Sequence, residues 1–433
     1  MKMDSRRDFL KMTGMAGLSL GSAGILTACS SLPANNSKST AEKPDDSDMN
    51  TNNKDISIIG VYGPWATGLI QSELPRLSYR RDEFKDIREW QETARKSLAD
   101  RLAVPHLGAT PKVTVKEQFT YDGLQVEKVS WQLPYGRPTE AVILKPANAK
   151  GPLPGILAFH DHGMDKFHGH VKLIRTSANL DPLMDAHQKE YYSDRGWANE
   201  IAKRGYVVMI SDAFDFASRR VKLSDVPLDM RNGLDFLNED DPENIKVYNI
   251  WAAEHEHVMA KSLFSAGLTW PGVFFAEDQK ALDILCERDD VDAGRIGCAG
   301  LSGGGVRTHY MAAMDPRIKC AVPVGFTTTW KDMVMYKSFT HTWMAFTPLV
   351  ASDLDFPEII GIRVPMPILV LNNTDDPLFT LSEMKVADNI LRDVYKKANA
   401  QDHYKCSFYP GVHKFEKDMQ EEAFDWFDKW LKA

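Results

Sequence analysis

Cysteine is scarce in this chain, five residues in 433, and one of the five, Cys29, has a separate explanation. The other four, Cys286, Cys298, Cys320 and Cys406, each lie inside an apolar stretch, and their spacing lacks the density of a disulfide-stapled scaffold. They read as buried free thiols. A basic excess is also missing: 52 Lys and Arg stand against 60 Asp and Glu, a formal net charge of −8. That balance excludes a nucleic-acid partner, whose phosphates call for a cationic surface. No apolar run reaches the length of a membrane span, and no internal repeat points to a solenoid or a propeller. What remains is a long chain, 43% hydrophobic and 26% charged, able to bury a large core. One large α/β domain with appendages is the expectation.

The N-terminus carries its own message. Ser5-Arg6-Arg7-Asp8-Phe9-Leu10-Lys11 precedes a modest apolar segment, Met12 to Leu26, which ends in Leu26-Thr27-Ala28-Cys29. The first motif resembles a twin-arginine export signal and the second a lipobox, in which Cys29 would carry the lipid. Residues 1–29 are therefore set apart from the fold. Residues 30–55, rich in Ser, Asn, Lys, Asp and Thr, have almost no large apolar side chain to offset chain ordering and read as a flexible tether. The expected address is the cell envelope, with membrane contact through the lipid alone. Ser30 after the cysteine favours the outer membrane of a Gram-negative cell by resemblance to such lipoproteins.

From residue 56 to 433 a single domain is expected. Asp82 to Leu102 places Phe84, Ile87, Trp90, Ala94, Leu98 and Leu102 near helical spacing. Val113 to Leu144 alternates, with turns at Asp122-Gly123 and Tyr135-Gly136, and predicts two or three antiparallel strands. Apolar runs then alternate with helical patterns. Ile156–Phe159, Val207–Ile210, Ile296–Ala299, Ala321–Val324, Ile368–Leu371 and Tyr404–Phe408 are the predicted strands, and Trp197–Lys203, Phe275–Leu285 and Ser382–Lys397 are among the helices. A doubly wound, mostly parallel sheet with an antiparallel edge follows.

Within that frame the strand around Ile296 breaks into Gly300-Leu301-Ser302-Gly303-Gly304-Gly305, and a helical segment, Val306 to Met314, comes directly after. Strand, sharp turn, helix with Gly-x-Ser-x-Gly is a nucleophile elbow, in which the flanking positions stay free of side chains because strand and helix pass close by. Ser302 is the candidate nucleophile, and the N–H of Gly303 at the helix start points where an oxyanion would form. A serine hydroxyl needs a base, and the base an orienting carboxylate. After such an elbow the acid comes first and the histidine last. Asp375 and Asp376 stand at the carboxyl end of the Ile368 strand. His413, in Gly411-Val412-His413-Lys414-Phe415, follows the last strand, whereas His403 precedes it, on the wrong edge of the sheet. The second oxyanion donor belongs in the loop after the strand Gly155–Phe159, where the main-chain N–H of His162 is the candidate.

His160, Asp161, His162, Asp165, His168 and His170 in that loop raise a competing reading, a binuclear zinc hydrolase. Its pattern fails in detail, because Met164 stands where His-x-His-x-Asp-His requires the aspartate. Glu254-His255-Glu256-His257 likewise misses the His-Glu-x-x-His spacing. No metal and no cofactor is assigned.

The elbow, the Asp-Pro-Leu-Phe segment after Asp375 and the Gly-Val-His-Lys-Phe segment resemble the α/β-hydrolase superfamily. Within it the chain is similar to dienelactone-hydrolase-like and acetyl-xylan-esterase-like bacterial proteins over about Val113 to Ala433. The superfamily's acid motif runs Gly-x-x-Asp before an apolar pair. Asn373 takes the glycine place, so the resemblance selects Asp376, with Asp375 as runner-up. His160-Asp161-His162-Gly163 replaces the usual His-Gly-Gly-Gly oxyanion loop. Ser302 stands where a dienelactone hydrolase proper has cysteine, which turns expectation away from dienelactone. The resemblance implies an exported serine esterase working through Ser302, Asp376 and His413 on a small-molecule or carbohydrate ester.

Three alternatives stay open beside it: a prolyl-oligopeptidase-like peptidase, for which the stretch before Val113 is too short to form a propeller, a metal-dependent hydrolase, and a non-catalytic binding lipoprotein. Two long insertions, Gly163–Gly196 and Phe214–Pro271, and a third patch, Phe326–Phe346, are expected to act as lid or wall. Their aromatics, Phe236, Tyr248, Trp251, Phe264, Trp270, Trp330, Tyr336, Phe339, Trp343 and Phe346, are candidates for either packing or an apolar subsite.

Overall fold

The computed structural model describes residues 56–71, 73–235 and 238–432. The twin-arginine motif, Cys29, the tether 30–55 and Phe236 lie outside the described residues.

Among the described residues nine strands form one sheet: β1 (Thr114–Tyr121), β2 (Leu124–Trp131), β3 (Thr139–Pro146), β4 (Leu153–Phe159), β5 (Val207–Ser211), β6 (Val291–Leu301), β7 (Ile318–Val324), β8 (Ile368–Asn373) and β9 (Tyr404–Tyr409). Their spatial order is β1-β2-β3-β5-β4-β6-β7-β8-β9. The first three connections across the sheet are antiparallel and every pairing from β5 to β9 is parallel. Asp122 and Gly123, with φ of 49° and 77°, make the two-residue turn between β1 and β2, both in the left-handed region that such a hairpin requires.

Helices of seven residues or more are α1 (Tyr62–Gln71), α2 (Ile87–Leu102), α3 (Pro182–Tyr191), α4 (Trp197–Lys203), α5 (Pro242–Ser265), α6 (Trp270–Cys286), α7 (Gly303–Met314), α8 (Leu381–Lys397) and α9 (Lys417–Leu431). Successive residues of the central strands point to opposite faces, and both faces are covered. Leu157, Phe159, Ile296, Cys298, Ile368 and Val370 join one core with residues of α2, α6, α7 and α8. Ile156, Ala158, Ala299, Leu301, Leu369 and Leu371 join the other with α4 and α9. Burial on two sides explains why these strands read as continuous apolar runs. The doubly wound sheet with its antiparallel edge is thus the observed architecture, and Cys286, Cys298, Cys320 and Cys406 are free thiols.

Element boundaries differ from the sequence expectation for local reasons. The helix expected from Asp82 begins at Ile87, because the Asp86 carboxylate accepts the Arg88 and Glu89 N–H groups and caps it there. The closing amphipathic helix, which the sequence predicts over Phe415 to Leu431, begins at Lys417, because the Phe415 N–H donates to the Tyr191 carbonyl while its ring is buried. The second insertion contains the 24-residue helix α5, started by an Asp241 cap and Pro242 at its first turn.

Candidate active site

Ser302 joins β6 to α7 with φ 58° and ψ −116°, a left-handed conformation that a non-glycine residue adopts only when its surroundings impose it. The surroundings here are tight. A Cβ on Gly300 would lie 2.5 Å from the Phe159 carbonyl oxygen, and one on Gly304 only 2.3 Å from that same oxygen. The Ser302 N–H donates to the Val324 carbonyl at 2.9 Å, which ties the turn to the end of β7.

Two strands further on, β8 and β9 end at the same level, with Asn373 opposite Tyr409. The loops leaving them meet. His413 Nδ1 donates to Asp376 Oδ2 at 2.6 Å, and Asp376 Oδ1 accepts the Leu378 N–H at 2.9 Å. Asp376 is 4% exposed. Asp375 is turned elsewhere: its carboxylate accepts the Gly411 N–H at 2.9 Å, and its own N–H donates to the Gly411 carbonyl at 3.0 Å. Asn373, in the expected glycine place, is fully buried, and its Oδ1 accepts the Lys414 N–H at 3.2 Å. Asp375 and Asn373 therefore hold the histidine loop, while Asp376 alone of the three touches the imidazole.

With Nδ1 acting as donor, the lone pair of His413 lies on Nε2. That nitrogen is buried and has no hydrogen-bond partner among the described residues, the Ser302 hydroxyl included. Ser302 and His413 line one cavity of about 450 Å³, together with Gly303 and His162. The imidazole reaches its position past Gly325, where φ is 58° and a Cβ would sit 3.0 Å from His413 Cε1. Gly325 thus matters to the site, yet a single glycine in Val324-Gly325-Phe326 carries no signal in sequence.

His162 arrives from the loop after β4, and a Cβ placed on Gly303 would be 3.2 Å from its main-chain nitrogen. The elbow and this loop approach that closely because Gly303 has no side chain. Lys172, fully buried, spends all three of its donors on the loop: the carbonyls of Asp161, His162 and Asp165 at 3.0, 2.8 and 2.7 Å. Nothing in the sequence around Lys172 announces that role.

The remaining histidines of the loop are dispersed. His160 donates from Nδ1 to the Asp161 carbonyl and accepts the Ala213 N–H on Nε2. Burial, then Arg307 and Lys172, push it down to about 3, so it stays neutral. His168 pairs with Asp165, and His170 with Asp212. The Asp161 carboxylate takes Tyr192 and His187. Among the described residues no group of three or more His, Cys, Asp or Glu is arranged to hold a metal ion.

Of the aromatics singled out in the insertions, Phe339 reaches the cavity, as do Phe326 and Met344, while Phe274 and Tyr191 line it without having been expected. Trp330 is buried in the main core, and Tyr248, Trp251 and Trp270 pack in small separate clusters under α5 and α6. His341 closes one wall, donating from Nε2 to the Leu378 carbonyl, and burial pushes it down to about 4.

Known proteins resemble this chain in both sequence and fold. A model of the Abhydrolase family matches residues 44–236, the part that precedes Ser302. YtaP of Bacillus subtilis (strain 168), a protein named as a hydrolase, is 25% identical over 292 residues, covering 67% of this chain and 83% of its own. A Bacteroides fragilis NCTC 9343 protein named as an acetyl xylan esterase superposes with a TM-score of 0.61 at 18% identity, covering 86% of this chain and 91% of that one. A glucuronoyl esterase from Solibacter usitatus gives 0.56 at 14% identity, over 82% and 97% of the two chains. The nine-stranded, mostly parallel sheet with helices on both faces, seen among the described residues, is an α/β-hydrolase fold.

Proposed function

We propose that the protein is a serine hydrolase of carboxylic esters, with carbohydrate esters, acylated carbohydrates among them, as the substrate class favoured by its structural neighbours. One observation carries the reading: the Asp376–His413 hydrogen bond leaves an imidazole lone pair unpartnered at the wall of the cavity that Ser302 lines. In this reading Ser302 Oγ attacks the ester carbonyl as His413 Nε2 takes its proton, across a hydrogen bond that forms when substrate fills the cavity. The negative oxygen of the tetrahedral adduct faces the N–H groups of Gly303 and His162, each such donor being worth about 3–4 kcal/mol. His413 then protonates the leaving alcohol. Water repeats the cycle in reverse to release the acid and restore Ser302. Asp376 holds the imidazole tautomer and stabilises the imidazolium.

Export and lipid attachment at Cys29 belong to the same proposal and rest on the Arg6-Arg7 and Leu26–Cys29 motifs. The test is a fluorophosphonate probe together with an ester panel, from acetylated sugars to p-nitrophenyl acyl esters. Labelling and turnover that vanish in Ser302→Ala support the reading. Pure wild-type protein that neither labels nor turns over any ester removes it in favour of a binding protein on the same scaffold.

A further inference from the structure

We propose that Glu256, on the helix α5 that spans the second insertion, is a positioning residue that sets the oxyanion donor at His162 by fixing that residue's imidazole. The inference rests on the ester-hydrolase reading for its catalytic consequence, and on geometry alone for the clamp itself.

The argument starts at a proton. The Met164 N–H donates to His162 Nδ1 at 3.0 Å, so Nδ1 carries a lone pair and the ring proton sits on Nε2. That Nε2–H donates to Glu256 Oε1 at 2.7 Å, buried. The two bonds hold opposite sides of one ring, and the ring in turn holds a turn that the backbone resists: Gly163 and Met164 both have φ of 52°, and Met164 is not a glycine. The His162 N–H, the candidate oxyanion donor, lies at the root of that turn. If the Glu256 contact is lost, the ring is free to exchange tautomers. With the proton on Nδ1 the Met164 bond cannot form, and the backbone of residues 162–164 loses its brace.

Glu256 is itself held from two further directions. Its Oε2 accepts the Thr342 hydroxyl at 2.5 Å, and Lys166 lies 3.1 Å from Oε1, with Asp215 beside the same ammonium. The loop after β4 through His162, the first insertion through Lys166, the second through Glu256, and the third patch through Thr342 therefore converge on one carboxylate. Lys166 also answers the obvious objection. An uncompensated anion beside an oxyanion hole would repel the developing charge, and the buried ammonium, which Asp215 shares, offsets part of it. Burial alone would push Glu256 up; Lys166, then His162 and Thr342, instead hold it down to about 2, so it is a carboxylate at working pH. The role that remains is placement of the loop, with no proton to give or take.

Two measurements on the full chain test this. In ¹⁵N-histidine NMR of wild type, His162 is expected in the Nε2–H form, with Nδ1 as acceptor; Glu256→Ala is expected to show a mixture and Glu256→Gln, which can still accept the Nε2–H, the wild-type form. In ester kinetics, Glu256→Ala is expected to lose about 10- to 100-fold in kcat with KM nearly unchanged, as misplacement of a transition-state contact does, and Glu256→Gln to recover most of it. A wild-type His162 protonated on Nδ1, a kcat for Glu256→Ala within twofold of wild type, or a loss confined to KM overturns the proposal. Should wild type hydrolyse no ester, the functional reading falls, and the tautomer alone decides the clamp in either direction. The wild-type spectrum also decides it if Glu256→Ala does not fold.

Discussion

Replacing Asp376 by asparagine exchanges one oxygen for one nitrogen, and the structure says which. Asp376 Oδ1 accepts the Leu378 N–H at 2.9 Å, so the amide oxygen must take that place to keep a buried main-chain donor satisfied. The NH₂ then occupies the Oδ2 position, 2.6 Å from His413 Nδ1, where it can only donate. His413 answers by moving its proton to Nε2, the nitrogen that should receive the serine proton. The side chains still fit, yet the base faces Ser302 with the wrong atom. The expected loss is about 10⁴-fold in kcat, or about 5 kcal/mol of barrier, the scale seen when an orienting aspartate is made an asparagine elsewhere. Initial rates on p-nitrophenyl acetate, with thermal melts of each variant, give the answer. Asp375→Asn is the control, since its carboxylate only holds Gly411 and its neighbour Thr374. Asp376→Asn keeping more than a tenth of wild-type kcat, or Asp375→Asn losing the larger share, refutes the reasoning.

Gly304→Ala is expected to destabilise the fold by about 1–3 kcal/mol or more, because its Cβ would meet the Phe159 oxygen at 2.3 Å with only backbone around it; an unchanged urea midpoint would contradict this. Lys172→Met strands three loop carbonyls and leaves the Asp161 carboxylate, 3.7 Å from the ammonium, without its cation. About 3–5 kcal/mol of stability should go, the range for a broken buried pair, and the argument fails if denaturant melts of variant and wild type superimpose. Glu256, held down to about 2 from 4.5, contributes stability that is fully present above pH 4.5 and is lost as pH falls toward 2. The stability gap between wild type and Glu256→Gln should therefore narrow by about 3 kcal/mol over that window, and a gap independent of pH in equilibrium unfolding would count against it.

The strands were legible because both faces of the central sheet are buried, so each reads as a short unbroken apolar run. Ser302, Asp376 and His413 could be picked out as candidates because each follows such a run in the order an elbow demands, and the choice between the two aspartates rested on one glycine place, here filled by Asn373. Glu256, Lys172, Thr342 and Gly325 were not legible. Glu256, Thr342 and Gly325 meet partners far off in sequence, at His162, Glu256 and His413, while Lys172 reaches back 7 to 11 residues to main-chain carbonyls, and a lone residue of each type has no local signature. Helix α5 stayed hidden because its inward face mixes Tyr248, Trp251 and Ala252 with buried His255 and Glu256, which breaks the apolar stripe. The start of α2 was misplaced because Phe84 sits near helical spacing although the Asp86 cap comes after it.

Strand β9, which delivers His413, is one of the two edge strands, paired among the described residues with β8 alone. Rim strands detach at lower cost than central ones, since half of their main-chain bonding is absent from the start. Mild denaturant should therefore silence the enzyme while β4, β6 and β7 still hold together. Turnover would fade ahead of the bulk circular-dichroism transition, and amide protons of Lys405 to Phe408 would exchange sooner than those of Ile296 to Ala299.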